Sequence, residues 1–373
     1  MKICILSVAP PYRGGIAEQT HYMSLNLGKD NDVDIINFKR QYPNFLFPGK
    51  TQYEESSNYN LNNNYRLIDT INPLSWSRTA KFIINKSPDL IILRFWNPFF
   101  SISYGSIIKK IKRAFPSLKI IAVCDNIIPH ENNILDRKLT RFLFSKIDGF
   151  IVMSSQVENE LMDLNPEAKY RKLFHPIAFK DQDYNQEAAR SKLKIENKKV
   201  ILFFGFVRSY KGLDTLIRAN QHLSGKLRDY KIIICGESYE DKAKYVDMIS
   251  KFSSNNEIEW IDEYIPKDIA SIYFAASDVV VLPYRSASQS GVIPLSYSYE
   301  RPVIASNIMG ISEMVEHKST GFLFNKNNPD DLSKKIIDFF DSNNDFKSNI
   351  IQFRERFSWK NFMKGILDFH ESL

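Results

Sequence analysis

Short apolar runs alternate with amphipathic stretches along the whole chain. Runs with little charge inside predict strands in the first half at 2–8, 33–38, 89–95, 119–124 and 148–153. They predict strands in the second half at 200–204, 230–235, 257–260, 278–282, 302–305 and 321–324. Uncharged runs of about four to eight residues are typical of strands buried on both faces of a parallel sheet. Because helical stretches separate them, the pattern predicts an α/β fold.

A thinning of this pattern divides the chain. Between residues 174 and 187 the apolar periodicity gives way to a polar stretch, which we interpret as a hinge. A chain of 373 residues is also too long for one ordinary core. We therefore predict two doubly wound, Rossmann-like domains that face each other across a cleft, at 1–178 and 179–355. We expect a final helix at 356–373 to pack back on the first domain.

The stretch from residue 200 to 219 carries the strongest chemical signal. An uncharged strand leads into Gly205, then Arg208 and Lys211, then Gly212 and a helix with apolar residues at helical spacing. A helix N-terminus offers free N–H groups and partial positive charge, and both cations suit phosphate oxygens. The pattern therefore predicts a phosphate site. A plain strand-to-helix turn with two solvated cations is the alternative, since short motifs often occur by chance.

Other candidate groups follow predicted strands, where parallel sheets bind their ligands. The first strand precedes a glycine pair, the strand at 119–124 precedes an acid and a histidine, and a small-residue loop precedes the helix at 292–299. Two glutamates follow strands of the second half. The candidates are Gly14, Gly15, Asp125, His130, Glu237, Ser288, Gln289, Ser290, Gly291 and Glu313. For His130, a structural hydrogen bond is the alternative role, and Glu313 can equally be a carboxylate that favours a helix start.

Composition restricts the class of protein. The chain is 43% hydrophobic and 25% charged, which is ordinary for a soluble globular protein. No apolar run reaches the roughly 18 residues that a membrane span needs. The three cysteines lie in or at the end of apolar runs, so we expect buried reduced thiols and a cytoplasmic protein.

The positive charge is concentrated in the first half. Residues 1–190 hold 25 Lys and Arg against 19 Asp and Glu, whereas the remainder holds 25 against 24. An anionic partner is indicated, and the stretch at 101–115 places Lys109, Lys110, Lys112 and Arg113 opposite an apolar stripe. Such a helix either lies on an anionic membrane surface or packs its stripe in the core with a solvated basic face.

With these residues in view, the chain resembles the glycosyltransferases of family 4, which have the GT-B fold. The resemblance covers nearly the whole chain and is strongest at 200–325, where the family's blocks appear in order. They read FFGFVRSYKG, ICGE, SDVVVLPY, SQSGVIPL, RPVIAS, MGISEMV and GFLF. The resemblance implies transfer of a hexose from a nucleotide-sugar donor, with retention at the anomeric carbon and without an obligatory metal or other cofactor.

The chain departs from the usual pattern at three places. Typical members have an arginine directly after the glycine of the phosphate loop, where this chain has Phe206. The family's two glutamates correspond to Ser288 and Leu295, and its usual histidine corresponds to Asp125. The blocks RQYP, FPGKTQ, PHE and QSGVIPL are similar to those of a variant branch. These departures leave the sugar, the nucleotide and the ribose contacts open.

Four hypotheses about function follow. The first is a glycosyltransferase that extends a cell-surface polysaccharide or lipid-linked acceptor at the inner face of the membrane. The second is a catalytically inactive GT-B nucleotide-binding or scaffold protein, and the third is a nucleotide-sugar epimerase. Nucleic-acid binding is the weakest, because no aromatic platform is interleaved with the basic residues. Under the first hypothesis Arg208 and Lys211 stabilise the leaving diphosphate, and Asp125 and His130 meet the reacting sugar.

Overall fold

The computed structural model describes residues 1–43, 52–53, 63–127, 134–177, 184–196, 198–253, 257–287 and 289–373, apart from the side chains of Ile134 and Lys267. The chain forms two compact units. Unit 1 comprises Met1–Pro176 and Trp359–Leu373, and unit 2 comprises Ile177–Ser358. The predicted boundaries at 178 and 356 lie two and three residues from these.

Unit 1 contains a parallel sheet of seven strands in the order β3-β2-β1-β4-β5-β6-β7, counted over the described residues. The strands are β1 (Lys2–Leu6), β2 (Asp32–Arg40), β3 (Asn64–Asp69), β4 (Leu90–Phe95), β5 (Lys119–Cys124), β6 (Gly149–Val152) and β7 (Tyr170–Lys172). The helices are α1 (Gly15–Leu27), α2 (Pro73–Lys86), α3 (Ser101–Ala114), α4 (Ile134–Phe144) and α5 (Ser155–Leu164). Helices cover both faces of the sheet, which explains why its central strands carry so little charge.

The last helix of the chain belongs to unit 1. This helix, α13 (Trp359–Glu371), buries Phe362, Ile366 and Phe369 in the same apolar cluster as Ile3 and Met23. Its remaining face is polar, as expected of an amphipathic helix that covers a sheet. The chain therefore returns to its first unit after completing the second.

Unit 2 contains a parallel sheet in the order β10-β9-β8-β11-β12-β13. Its strands are β8 (Lys199–Phe204), β9 (Tyr230–Cys235), β10 (Ile258–Ile261), β11 (Val279–Leu282), β12 (Val303–Ser306) and β13 (Gly321–Phe324). Its helices are α6 (Gln186–Leu193), α7 (Leu213–Leu223), α8 (Lys242–Phe252), α9 (Lys267–Ala276), α10 (Val292–Ser298), α11 (Pro329–Phe340) and α12 (Phe346–Phe353). Each unit is thus doubly wound, as the alternating pattern predicts.

The sequence pattern did not reveal the two edge strands of unit 1. β3 lies at one edge and buries only Ile68, and β7 at the other edge is only partly buried throughout. A strand with little buried surface has no need of an apolar run, so periodicity gives no signal there. Much of the polar stretch at 39–65 lies outside the described residues.

Helix α3 packs its apolar stripe in the core. Tyr104, Ile107, Ile108 and Ile111 are fully buried. This stripe therefore cannot also lie in a membrane, which was one of the two interpretations of residues 101–115. Among the helices of the described residues, none is both long and apolar enough to cross a bilayer.

Candidate functional site

The loop after β8 lies at the topological switch point of the unit 2 sheet. β8 pairs with β9 on one side and with β11 on the other, so the order of the strands reverses beside it. In open parallel sheets, ligands bind outside the carboxyl ends of the strands at this point. Residues 205–212, which we call the phosphate loop, thus occupy the place in unit 2 that the fold favours for a ligand.

Two glycines give the phosphate loop its shape. Gly205 has φ 104° and Gly212 has φ 66°, both in the left-handed region. A Cβ on Gly212 would lie 2.0 Å from the carbonyl oxygen of Pro283, so the loop approaches the end of β11 too closely for any side chain. Glycine at the second position is therefore a packing requirement, and it directs the chain straight into α7.

Lys211 is a cation held in a desolvated place. Its Nζ would be 2.6 Å from a Cβ on Gly205, and it lies 5.7 Å from the centroid of the Tyr284 ring. Burial, and after it the charge of Arg208, lowers the pKa of Lys211 to about 8. No ion-pair partner for this ammonium is found in the part of the chain that the structure describes. A bound anion would supply the missing charge.

Arg208 is the second cation of the phosphate loop. Its guanidinium carbon lies 5.1 Å from the centroid of the Tyr239 ring, and the side chain is exposed. Within the described ranges this guanidinium has no ion pair. Its backbone carbonyl accepts a hydrogen bond from the Lys211 N–H at 2.9 Å, which places the two cations on one turn. Two adjacent cations without ion-pair partners among the described residues repel each other and favour a multiply charged anion beside them.

The residue between these cations is anchored on both sides. The Ser209 N–H donates to the Glu240 carboxylate, and Arg285 donates to the Ser209 carbonyl at 2.6 Å. The backbone N–H of Arg285 also donates to the backbone carbonyl of Tyr210 at 2.6 Å. Glu240 follows β9 and Arg285 follows β11, so both neighbours of β8 contribute to fixing the loop.

The predicted small-residue loop precedes α10. Ser290 is buried, its hydroxyl accepts the Val292 N–H at 3.2 Å, and its side chain lies beside Tyr284. Gln289 has a buried Oε1 without a hydrogen-bond partner among the described residues, and Gly291 caps the helix. Ser288 lies outside the described residues. Tyr284 thus connects this loop with Lys211, whose ammonium faces the same ring.

A small apolar pocket adjoins Gly205. It has a volume of about 90 Å³ and lies beyond the ends of β8, β9 and β10. The rings of Phe206 and Tyr264 stack beside it with centroids 6.2 Å apart, and Tyr239 meets Phe206 edge-on at 4.8 Å. Tyr264 is 62% exposed and Tyr239 is 56% exposed. Large exposed aromatic rings beside a pocket are suited to stacking on a planar ligand.

The two predicted glutamates of unit 2 occupy different surroundings. Glu237 is exposed and lines this pocket, and its backbone carbonyl accepts the Val207 N–H at 2.9 Å. Glu313 is partly buried in the 3-10 helix Ser312–Met314, beyond the end of β12. Glu237 is therefore placed beside the phosphate loop, whereas Glu313 follows β12, which β11 separates from β8.

In unit 1, the glycine pair opens α1. Gly14 has φ 119°, and Gly15 is the first residue of the helix. A Cβ on either glycine would meet no atom within 4 Å. The backbone here is therefore bordered by open space, into which a ligand of unit 1 could approach the N–H groups.

Asp125 is engaged in an ion pair. Arg94, which is only 2% exposed, donates to both carboxylate oxygens of Asp125, through Nε at 3.2 Å and through a second, short contact. His175 lies near this pair, and burial lowers its pKa. His130 lies outside the described residues. Because a bidentate Arg–carboxylate pair is already satisfied, Asp125 is poorly placed to act as a free catalytic base.

Sequence reasoning missed several of these neighbours. Arg285, Glu240 and Asp214 surround the phosphate loop, and Arg94 and His175 accompany Asp125. Arg285 lies 76 residues from Ser209, and no local motif indicates such a contact. Among the described residues, no cluster of His, Cys, Asp and Glu could hold a metal ion.

Comparison with known families gives a match that lies within unit 2. The model of glycosyl transferases group 1 matches residues 185–357. An uncharacterised glycosyltransferase of Methanocaldococcus jannaschii is 25% identical over 389 aligned positions, which cover 100% of this chain and 99% of the relative. The sequence likeness therefore extends beyond the matched family model into unit 1.

Solved structures agree on the architecture. HepE of Anabaena in complex with UDP has a TM-score of 0.72 and 17% identity over 100% of both chains. The apo form of the lipopolysaccharide outer core galactosyltransferase WaaB has a TM-score of 0.67 and 16% identity over 99% of both chains. At such identities a match shows the fold, and the predicted GT-B fold is confirmed.

Proposed function

We propose that the chain is a glycosyltransferase of the family 4 type, which moves a hexose from a nucleotide-sugar donor with retention at the anomeric carbon. The observation that carries the proposal is the pair of cations in the phosphate loop. Arg208 and Lys211 lie on one turn at the switch point, without ion-pair partners among the described residues. A diphosphate is the ligand whose charge and size suit that pair.

The chemistry requires stabilisation of the charge that grows on the leaving diphosphate. We propose that the Lys211 ammonium and the Arg208 guanidinium supply it, so that transfer needs no metal ion. The free N–H groups at the start of α7 add partial positive charge. Loss of one preorganised donor of this kind typically lowers turnover by about 10²–10³. Retention of configuration is proposed on the family resemblance.

We assign the donor's base to the pocket beside Gly205. Its stacked pair, Phe206 and Tyr264, presents a ring face, and Glu237 lies at its border. Stacking of a base on an aromatic side chain contributes about 1–3 kcal/mol. HepE, with the same fold, is described as a complex with UDP, so uracil is the first base to test. Donor binding stays a prediction for the glycine pair Gly14-Gly15, the loop at 288–291 and Glu313. Contact with the reacting sugar stays a prediction for Asp125 and His130.

We further propose a lipid-linked or cell-surface glycan acceptor, reached by peripheral contact with the inner face of a membrane. The apolar stripe of α3 is buried, and Lys112 is paired with Asp148 at 2.7 Å, so the predicted contact requires a different set of residues. The outer faces of α3 and α4 provide it. We define the α3–α4 surface by the apolar residues Ile102, Leu135 and Phe142 and the cations Lys109, Arg113, Lys138 and Arg141, all exposed.

The α3–α4 surface is continuous. The Phe142 ring lies against Gly105, where a Cβ would be 2.5 Å from it. The Lys146 ammonium lies 3.8 Å from the centroid of that ring, and its pKa is lowered by burial and then by Lys109. Exposed apolar side chains surrounded by cations suit the boundary of an anionic bilayer.

A catalytically inactive nucleotide-binding protein is the second candidate. Two observations favour it: Leu295 occupies the place of a family glutamate in α10, and Asp125 is paired with Arg94. Such a protein would bind nucleotide and transfer no sugar. The cations of the phosphate loop, which lack ion-pair partners among the described residues, would stabilise the charge on a leaving diphosphate as well as bind it, and only the enzyme uses that effect.

Slow donor hydrolysis tests this proposal without knowledge of the acceptor. The protein is incubated with UDP-glucose, UDP-galactose, GDP-mannose or ADP-glucose, and the released sugar is followed by NMR before it mutarotates. The proposal predicts release of one sugar with the donor's own anomeric configuration. Release of the opposite anomer contradicts retention, and nucleotide binding without release supports the inactive alternative.

A further inference from the structure

Arg285 contacts three segments of unit 2 at once. Its Nε donates to Oδ1 of Asn327 at 3.1 Å, one terminal nitrogen donates to the Ser209 carbonyl at 2.6 Å, and the other donates to the Asp214 carboxylate at 2.6 Å. Asn327 follows β13, Ser209 belongs to the phosphate loop, and Asp214 lies in the first turn of α7. The guanidinium therefore joins the loop to the structure on both sides of it.

The segment that Arg285 holds has little rigidity of its own. Residues Ser209–Lys211 form one turn of 3-10 helix, and such turns have poorer hydrogen-bond geometry than an α-helix. Because Ser209 lies between Arg208 and Lys211, a shift of its carbonyl changes the position of both cations. An unanchored loop would have to be ordered by the ligand, which lowers affinity.

The charge of Arg285 has a second effect. It neutralises Asp214, whose other oxygen, Oδ1, is buried without a hydrogen-bond partner among the described residues. Without Arg285, this carboxylate would remain uncompensated one turn from Lys211. It would compete with phosphate oxygens for the cations of the loop.

We propose that Arg285 is a positioning residue of the donor site, which holds the phosphate loop in the shape that receives the diphosphate and keeps Asp214 from opposing it. The inference rests on the proposed donor site. Lysine cannot replace it fully, because the contacts use three nitrogens of a planar fork. Lysine can still neutralise Asp214, so Arg285→Lys should recover part of the effect of the wild-type residue.

The test compares UDP with UMP, since the two share base, ribose and first phosphate. Dissociation constants are measured by calorimetry for wild type, Arg285→Gln and Arg285→Lys, with GDP/GMP and ADP/AMP pairs if the uridine pair does not bind. Arg190→Gln is the matched control: Arg190 forms a similar pair with Asp278 at 2.7 Å, at the opposite end of β11.

We expect Arg285→Gln to reduce the preference for UDP over UMP by about tenfold, since it disorders the donors aimed at the second phosphate. Arg285→Lys should lie between this variant and wild type. Arg190→Gln should lower the melting temperature and leave the preference unchanged. A merely structural role for Arg285 predicts an unchanged preference in Arg285→Gln, and that result would overturn the inference.

The outcomes separate this inference from the function on which it rests. If wild type shows no preference for any diphosphate over its monophosphate, the proposed donor site is wrong and the role of Arg285 is rejected with it. If wild type shows the preference and Arg285→Gln keeps it, only the positioning role is rejected. Should Arg285→Gln fail to fold, the preference for UDP over UMP is measured in Arg285→Lys and in Asn327→Ala, which removes one contact of the guanidinium. An unchanged preference in both variants would overturn the inference.

Discussion

The Lys211 ammonium fills the space that a side chain at Gly205 would need, with 2.6 Å between Nζ and the position of a Cβ. Because Nζ is the end of a flexible chain, it can move away at little cost to the fold. A methyl group at position 205 would therefore displace the cation before it damaged the core.

Gly205→Ala should separate binding from stability. Its φ of 104° makes alanine strained by about 1–3 kcal/mol, and the displaced ammonium should cost nucleoside diphosphate affinity in addition. Gly225→Ala is the control, since Gly225 has φ 81° and open space around its Cβ position. Both variants should lose similar stability by thermal denaturation, and only Gly205→Ala should lose UDP affinity in calorimetry. Equal affinity in the two variants would contradict the placement of Lys211.

Affinity for the diphosphate should fall at alkaline pH. Burial and Arg208 lower the pKa of Lys211 to about 8, and a bound anion raises it again, so binding is strongest where Lys211 is already charged. We expect the UDP dissociation constant to be constant from pH 7 to about 8 and to increase above it. Lys211→Arg stays charged throughout this range and should lose the dependence. The same alkaline decline in Lys211→Arg would show that another group titrates.

Lys211→Met should reduce turnover and leave the fold intact. Burial of the charged lysine destabilises the folded state, which is why its pKa is lowered there. Between about pH 8 and 10.4 the unfolded chain binds more protons at this residue than the folded chain does. The free energy of unfolding of the wild type therefore rises with pH in that window. The variant should lose this rise and be at least as stable as wild type at pH 7. Its donor hydrolysis, and that of Arg208→Ala, should drop about 10²-fold or more. Near-normal rates in either variant would remove that residue from the mechanism.

Binding to vesicles should depend on the α3–α4 surface. Replacing Lys109, Arg113, Lys138 and Arg141 by Gln removes four charges, each worth about 1 kcal/mol near an anionic bilayer. We expect wild type to sediment with vesicles of 30% phosphatidylserine at low salt, and the variant to stay in solution.

A variant with the same charge change elsewhere in unit 1 is the control for the vesicle experiment. Lys2, Lys29, Lys39 and Lys169 are exposed and belong to neither helix, and their replacement by Gln should leave sedimentation unchanged. If both variants lose binding equally, net charge and not the α3–α4 surface is responsible.

The interior strands and the cations could be predicted because their signals are local. β8 and β11 are buried on both faces and must be apolar, and Arg208 and Lys211 lie within seven residues of the glycine that begins their loop. The edge strand β3 buries a single side chain, so its sequence has no apolar run to detect.

The neighbours that shape the site could not be predicted in the same way. The contact of Arg285 with Ser209 spans 76 residues and depends on the order of the strands in the sheet. Arg94 lies in an apolar run, DLIILRF, and nothing in that run indicates a partner for its charge. The partner, Asp125, comes beside it only because β4 pairs with β5. Only the fold reveals that Asp125 is already neutralised.

Calorimetric titration of the intact protein with UDP, GDP and ADP shows whether the phosphate loop binds a nucleoside diphosphate. We expect one of the three to bind there, with a large loss of affinity in the Arg208→Ala, Lys211→Met double variant. At a hundred times its dissociation constant this nucleotide should stabilise the folded protein by about 2.7 kcal/mol. No binding of any of the three at millimolar concentration, or equal binding by the double variant, would show that the phosphate loop is not a diphosphate site.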